Sequence, residues 1–118
     1  MSKRRRCVKN EMVFALGVVL LELSWGKPLA DLKTAEDLDD QGKEDSMTEL
    51  SIASRLVDSI RTRELPNYAQ AVTRCVSCDF GTPSYNFHDK DFRERFYEDV
   101  IIPLQKDYEY AVGTHLRP

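Results

Sequence analysis

The chain has 118 residues, of which 42% are hydrophobic and 31% are charged, and its formal net charge is −3. These values are typical of a single globular domain that buries about two thirds of its unfolded surface, and they exclude a wholly disordered chain. The small negative charge gives no reason to expect nucleic acid or a membrane as a partner. The chain has an odd number of cysteines and no evident disulfide framework, which favours a reducing compartment, the cytoplasm.

Residues 1–10 contain the basic run Lys3–Arg6, and we expect this N-terminus to be disordered. A basic run before an apolar stretch is also the pattern of a secretory signal, and here Ser24 and Gly26 provide small residues before a possible cleavage after residue 26. Glu11 and Glu22 flank the stretch and argue against that interpretation. A small secreted protein with residues 1–26 as its signal peptide is therefore the alternative.

The stretch from Met12 to Leu23 is apolar except for Gly17 and Glu22. A helix that is apolar on all sides must be covered on most of them. Extended to Trp25 it would be about 20 Å long, which is too short for a hydrocarbon core of about 30 Å. We therefore expect a buried central helix, with no membrane as a partner. The sequence Gly26-Lys27-Pro28 predicts its end.

Residues 13–23, followed by Gly26-Lys27-Pro28, resemble the helix αF segment of protein kinases, which has the form V-Y-S-x-G-V-x-L-x-E-L-x-x-G-x-P. Residues 68–80 and 92–104 are similar to the end of a fungal kinase-like domain of uncharacterised function, found at the C-terminus of longer proteins linked to incompatibility and innate-immunity-like systems. The resemblance covers residues 11–106. It implies an all-α fold, a partial kinase C-lobe of about four helices around the buried first helix.

Residues 31–49 hold eight acidic side chains against two lysines, and we predict a solvated acidic loop at about 31–46, with a turn of helix near residues 34–38. Residues 37–42 imitate the opening of an EF-hand calcium loop. Position 12 of such a loop is a bidentate Glu, however, and here it is Thr48, while the usually apolar position 8 is Glu44. A calcium site is therefore disfavoured, and no cofactor is expected.

Two helices are predicted next. The second helix is expected to begin at a capping box formed by Ser46 and Glu49 and to end near Arg63, because Pro66 disfavours helical geometry at Leu65. Its apolar stripe is predicted to be Leu50, Ala53, Val57 and Ile60. The third helix should start at Pro66 or Asn67, and its predicted stripe is Tyr68, Ala71, Val72, Cys75 and Val76.

Turn-forming residues predict a loop from Cys78 to His88, after which Asp89 is the expected cap of a fourth helix. Apolar side chains recur on this helix at successive i+4 steps, at Phe92, Phe96, Val100, Leu104 and Tyr108. Pro103 predicts either a kink or a fresh helix start. We expect a frayed tail at residues 113–118, so the predicted helical domain spans residues 11–112.

The triplet Asp79-Phe80-Gly81 spells the magnesium-binding motif of protein kinases, but it lies 62 residues after Gly17, whereas in kinases it precedes αF. We interpret it as a coincidence. The sequence has no glycine-rich phosphate loop, no Val-Ala-Ile-Lys strand and no His-Arg-Asp loop, so nothing is present to run phosphoryl transfer. Kinases also place an Asp where Met12 stands here. We expect no kinase activity and assign no catalytic residue.

The pair Cys75-x-x-Cys78 has the spacing of half a zinc site, but no second pair exists at ligand spacing. The other candidate ligands are Cys7, His88 and His115. As a redox site the pair should lie at a helix N-terminus, and here it lies at the predicted C-terminus. A structural role in the core is favoured over a metal or redox role.

Glu22 is a charge within the apolar run, and a functional interpretation would make it an acid or base in an apolar site. We predict instead that it reaches solvent or a basic partner, such as Arg74 or an arginine of the fourth helix, because buried charges are normally paired.

Three later helices are not expected to cover every side of Met12–Leu23. We predict an apolar groove beside this helix, filled by a protein partner, a second copy or an N-terminal part of a longer chain. The favoured function is a non-catalytic kinase-like module that acts by protein–protein contact or as the C-terminal part of a longer fungal kinase-like protein. Besides the secreted alternative, the chain could be a fragment of a kinase whose ATP-binding and catalytic motifs lie upstream.

Overall fold

The structure, a computed structural model, describes residues 10–116, and the secondary structure within that range is entirely helical. The helices are α1 (Glu11–Trp25), α2 (Thr48–Arg63), α3 (Pro66–Ser77), α4 (Lys90–Phe96) and α5 (Ile102–Leu116). A π-helical turn at Tyr97–Ile101 joins α4 to α5, and short 3₁₀ turns lie at Leu29–Leu32 and Ala35–Asp37. The predicted all-α class is confirmed. The basic run Lys3–Arg6 lies outside the described residues.

Both ends of α1 are set by local hydrogen bonds. The Asn10 side chain accepts the backbone N–H groups of Met12 and Val13, each at 3.1 Å, and so satisfies two donors that a helix start leaves free. At the other end Gly26 adopts the left-handed conformation with φ of 70°, and its N–H donates to the carbonyl of Glu22. The predicted stop at Gly26 is confirmed.

The element that the other helices share is α3. It packs against α1, α2, the π-helical turn and α5, whereas α1 packs mainly against α3 and more weakly against α2. Residues Ala71, Val72 and Cys75 are fully buried for this reason. The expectation of a bundle arranged around α1 is therefore corrected. The shortest dimension of the molecule is 18 Å, about two helix layers, so α1 has one covered side rather than several.

The start of α2 differs from the prediction. Thr48 is its first residue and Met47 its N-cap residue, and the predicted capping box of Ser46 and Glu49 does not form. The Thr48 hydroxyl accepts the N–H of Asp45, and the Asp45 carboxylate accepts the N–H of Met47, both at 2.8 Å. The predicted end at Arg63 and the start of α3 at Pro66 are confirmed. The buried residues of α2 are Thr48, Ile52, Ala53, Leu56 and Ile60.

The last helical rod contains the discontinuity that Pro103 predicted, and it takes the form of a π-helical turn before α5. Proline has no N–H, so the carbonyl of Asp99, four residues earlier, loses its usual donor. The side-chain amide of Gln70 donates to that carbonyl at 3.2 Å instead. The helix continues through Gly113 to Leu116, where the sequence predicted the start of a tail, and residues 117 and 118 lie outside the described range.

The loop between α3 and α4 is held by aromatic packing. Phe80 and Phe92 are fully buried with their ring centroids 5.3 Å apart in an edge-to-face arrangement. Phe87 packs edge-to-face against both Phe92 and Phe96. Asp89 accepts the N–H of Asp91 and caps α4, as predicted. The loop is thus fixed to α4 by its side chains.

Candidate interaction surface

One face of α1 is apolar and exposed to solvent. Met12 is 74% exposed, Leu23 69% and Val19 48%, while Ala15 is exposed and Leu16 half-buried. We call these five residues the exposed α1 face. The opposite side of the same helix is buried, with Val13, Phe14, Gly17, Val18, Leu20 and Leu21 in the core. The predicted burial on most sides therefore holds for only one side of the helix.

The exposed α1 face is a narrow stripe. At about 100° per residue, Met12, Val19 and Leu23 fall within an arc of about 40°. From Met12 to Leu23 the stripe runs about 16 Å along the helix axis. Contiguous exposed apolar side chains of this kind are unusual on a monomeric protein and mark interaction sites.

The buried side of α1 packs closely against α3. A Cβ added at Gly17 would lie 3.0 Å from the Cβ of Cys75 and 3.2 Å from the backbone nitrogen of Val76, so α1 and α3 approach each other as closely as the glycine permits. The Tyr68 hydroxyl donates to the carbonyl of Leu20 at 2.6 Å, and burial raises the pKa of that hydroxyl.

The C-terminal end of α1 is joined to the end of α2. The Arg63 guanidinium lies 4.1 Å from the centroid of the Trp25 ring and donates to the carbonyl of Ser24 at 3.0 Å. The Ser24 hydroxyl donates to the carboxylate of Glu64 at 2.7 Å. These contacts hold the last turn of α1 in place.

Glu22 has a partner, but not one of the predicted arginines. Its carboxylate accepts the backbone N–H of Leu29 at 2.7 Å, at the start of the first 3₁₀ turn. The side chain therefore caps the turn that reverses the chain after α1. Its role in the described structure is to hold this turn against the helix.

The apolar surface continues from α1 onto the loop after α3. An open hollow of about 540 Å³ is lined by Met12, Tyr85 and Phe87, among others. A second hollow of about 670 Å³ is lined by Phe87, Phe96, Tyr97 and Ile101, with charged residues at its edge. Phe87 lines both hollows, so the two adjoin, and Met12 connects the first of them to the exposed α1 face. The Asn10 side chain, which donates to the carbonyl of Tyr85 at 2.6 Å, ties the two parts together.

The cysteine pair is part of the core, as the sequence favoured. Cys75 is fully buried, and burial raises the pKa of its thiol to about 12. Cys78 is 3% exposed and adopts a left-handed conformation with φ of 54° at the end of α3. The thiol of Cys75 is thus held in its protonated, unreactive form. Cys7 lies outside the described residues.

Two residues of the triplet Asp79-Phe80-Gly81, Phe80 and Gly81, have structural roles. Phe80 is fully buried in the aromatic cluster. The carbonyl of Asp79 accepts a hydrogen bond from Arg74 at 2.7 Å, while the Asp79 side chain lies on the surface. Gly81 has a positive φ of 69°, which suits a turn. The Phe80 side chain anchors the loop to the core.

Sequence reasoning missed an ion pair in the acidic segment. Asp37, predicted to be solvated, is 4% exposed. Its carboxylate accepts hydrogen bonds from Arg55 and from the backbone of Thr34, each at 2.8 Å, and from Ser51 at 2.8 Å. The Arg55 guanidinium holds the pKa of the Asp37 carboxyl far below its usual range, and the other hydrogen bonds act in the same direction. The predicted turn near residues 34–38 is confirmed.

The spacing Thr34-x-x-Asp37 is a capping-box pattern and was the local signal for this turn. The ion pair itself joins residues 18 positions apart, which no local pattern reveals. Because Asp37 is engaged by Arg55, it is not available as the first ligand of an EF-hand-like loop. Among the described side chains, at residues 10–113, no group of three or more His, Cys, Asp or Glu could hold a metal ion.

Comparison with protein-family models gives one result. A model described as a domain of unknown function, DUF7580, matches residues 2–111, which is nearly the whole chain. The comparisons with curated proteins and with solved structures give no match. In the part of the chain that the structure describes, no helix combines the length and the apolar character needed to cross a bilayer.

Proposed function

We propose that this chain, which belongs to the DUF7580 family of domains of unknown function, acts as a helical module that makes protein–protein contacts and catalyses no reaction itself. The observation that carries the proposal is the exposed α1 face. Three large apolar side chains in one stripe lose water contact when a partner covers them, and this is the main favourable term in association.

The surroundings of this face support the same function. The face lies on a helix whose opposite side is held by Gly17 and Tyr68, so little backbone order has to be acquired on binding. The hollows around Phe87 extend the apolar region beyond α1. A rigid apolar surface with hollows for side chains is the form that helix-docking sites take.

The proposal includes descent from a kinase-like C-lobe, as the αF-like motif and the two later segments suggest. An apolar helix with one buried side and a glycine at its crossing point supports that part of the proposal. The gene sequence upstream of Met1 tests this part. A region coding for a kinase-like N-lobe would support it, and catalytic lysine and aspartate motifs there would replace it with the kinase-fragment alternative.

The place of action that we propose is the cytoplasm. Removal of residues 1–26 as a signal peptide would take Val13, Phe14 and Leu21 out of the core and uncover Val72 and Cys75 of α3. The intact mass of the chain purified from its native cells tests this. A chain that retains α1 supports the cytoplasmic proposal, whereas a mature chain starting at Lys27 contradicts it.

Accessibility of the exposed α1 face is tested with the apolar dye ANS. We expect the double variant Val19→Ser/Leu23→Ser to reduce the dye fluorescence of the folded chain to less than about half, because most of the exposed apolar stripe is removed. The matched control is Tyr110→Ser, since Tyr110 is 77% exposed and lies on α5, which packs against α3 and the π-helical turn rather than against α1. The titration is made at low micromolar protein concentration. Equal fluorescence of the double variant and the wild type would refute the proposal.

A further inference from the structure

We propose that the partner of the exposed α1 face is a second copy of this chain, packed antiparallel against the first across a two-fold axis near Gly17 and Val18. This inference rests on the proposed function, because it takes the exposed α1 face to be a docking surface. A two-fold contact uses the same patch on both copies, so the patch must be complementary to itself. The spacing, the end charges and the neighbouring hollow each meet that requirement.

The spacing of the large side chains suits a helix as the partner. Met12, Leu16, Val19 and Leu23 are separated by four, three and four residues, which is the alternation of a heptad seam. In an antiparallel pair centred between residues 17 and 18, Met12 lies beside Leu23 of the second copy. Leu16 then lies beside Val19 of the second copy. The long side chains of Met12 and Leu23 therefore meet at the two ends of the contact, and Leu16 and the shorter Val19 meet at its centre. The two-fold axis makes this arrangement the same for both copies.

The charges at the two ends of α1 select the antiparallel orientation. Glu11 is exposed at the N-terminus of α1, and Lys27 is exposed just beyond its C-terminus. In this register Glu11 lies beside Ser24 of the second copy, three residues before its Lys27, so the two charges approach each other twice by symmetry, and the helix dipoles align favourably. Parallel packing would place Glu11 beside Glu11 and Lys27 beside Lys27, which repels at both ends.

The hollow next to Met12 also fits a second copy. In the antiparallel arrangement the exposed turn at residues 26–28 of the second copy follows its Leu23 and lies over the hollow of about 540 Å³ that Met12 and Phe87 line. The contact along α1 alone is about 16 Å long. A contact of this length along one helix buries less surface than the about 800 Å² per partner of a stable interface. We therefore expect a weak dimer, which forms only well above the low micromolar protein concentration of the ANS titration.

Sedimentation velocity of the full chain over a range of concentrations tests the dimer. We expect the wild type to shift from monomer to dimer with concentration and Val19→Glu to stay monomeric. The control Tyr110→Glu, which places the same charge at an exposed position of α5, away from α1, should dimerise like the wild type. Circular dichroism verifies that each variant is folded. A dimer that Val19→Glu leaves unchanged would overturn the assignment to α1.

The orientation is tested by exchanging charges. Glu11→Lys and Lys27→Glu should each weaken the dimer about threefold to tenfold, and the double variant Glu11→Lys/Lys27→Glu should restore it. If the single variants leave the dimer unchanged, or if the double variant does not restore it, the antiparallel order is wrong, because a parallel pair keeps like charges together at each end in every variant.

The dimer and the proposed function fail separately. A wild type that is monomeric at every concentration, while ANS still reports the exposed α1 face, would overturn the second copy as partner and leave the docking surface intact. A face that ANS does not report would overturn the docking surface itself.

Discussion

The two faces of α1 have the same chemistry and opposite environments. Leu21 is fully buried and Leu23, two residues later in the same helix, is 69% exposed. Val13 is 1% exposed and Met12, its neighbour, is 74% exposed. What differs between them is that α3, and to a lesser extent α2, covers one side of the helix. The comparison teaches that an apolar side chain is a core residue only where the rest of the chain covers it.

The buried face is committed to the fold and the exposed face is free to bind. Gly17 allows α1 to approach α3 closely, and Tyr68 fixes the register by its hydrogen bond to Leu20. No comparable contact restrains Met12 or Leu23, which remain at the surface. Substitutions on the two faces should therefore affect different measurements.

The largest expected difference is between the two leucines. Leu21→Ala should lower the free energy of unfolding by about 2 to 5 kcal/mol, because it leaves a cavity in a packed core. Leu23→Ala should change it by less than about 0.5 kcal/mol, because the side chain is already in water. Urea unfolding followed by circular dichroism measures both. Equal losses for the two variants would mean that Leu23 is buried in solution.

The second prediction concerns the ion pair between Asp37 and Arg55, which is independent of the difference between the two leucines. Arg55 lowers the pKa of Asp37 in the folded state, so folding favours the ionised carboxylate. The stabilisation is complete above the unfolded pKa of about 3.9 and is lost progressively as the pH falls below it. Asp37→Asn should cost about 2 kcal/mol at pH 6, and this cost should shrink towards pH 2.

The free energies of unfolding of the wild type and of Asp37→Asn, measured in urea at several pH values, test this prediction. The difference in the free energy of unfolding between Leu21→Ala and Leu23→Ala should not follow the same pH dependence, because burial of an apolar side chain involves no proton. A constant difference between the wild type and Asp37→Asn from pH 6 to pH 2 would contradict the role given to the ion pair.

The smallest predicted effect concerns the helix crossing. Gly17→Ala should lower the free energy of unfolding by about 1 kcal/mol, since the added methyl group meets the backbone of Val76 and outweighs the gain in helix propensity. Gly113→Ala is the control, because it adds a methyl group in open space within α5 and should raise stability by up to about 1 kcal/mol. Thermal unfolding of both variants distinguishes them. Stabilisation by both would show that α1 and α3 are further apart than the structure places them.

Much of the fold could be predicted because it depends on local signals. Gly26 ends α1, Pro66 starts α3 and Asp89 caps α4, each through hydrogen bonds or dihedral angles within one helical turn. The stripe of α3 was also largely predicted, because polar residues mark its opposite face. For α2 the prediction shared Ala53 and Ile60 with the structure but missed Ile52 and Leu56, since the position of α3 selects the buried side.

The candidate surface could be predicted only in outline. The sequence predicted that three later helices would not cover every side of α1. It did not indicate which side would be buried, because apolar residues occur on all sides of this helix. The hollows at Phe87 and the cap that Glu22 makes on Leu29 depend on loops whose paths no periodicity describes. The ion pair between Asp37 and Arg55 was hidden for the same reason.

The sequence by itself determined that this protein is helical, where most of its helices begin and end, and that α1 carries more apolar surface than one packed side needs. These properties follow from interactions within a few residues. Only the tertiary structure decided that Leu21 is inside and Leu23 outside, that α3 rather than α1 is the shared element, and that Asp37 is buried. Those outcomes depend on contacts between residues far apart in the chain, and such contacts exist only once the helices have packed.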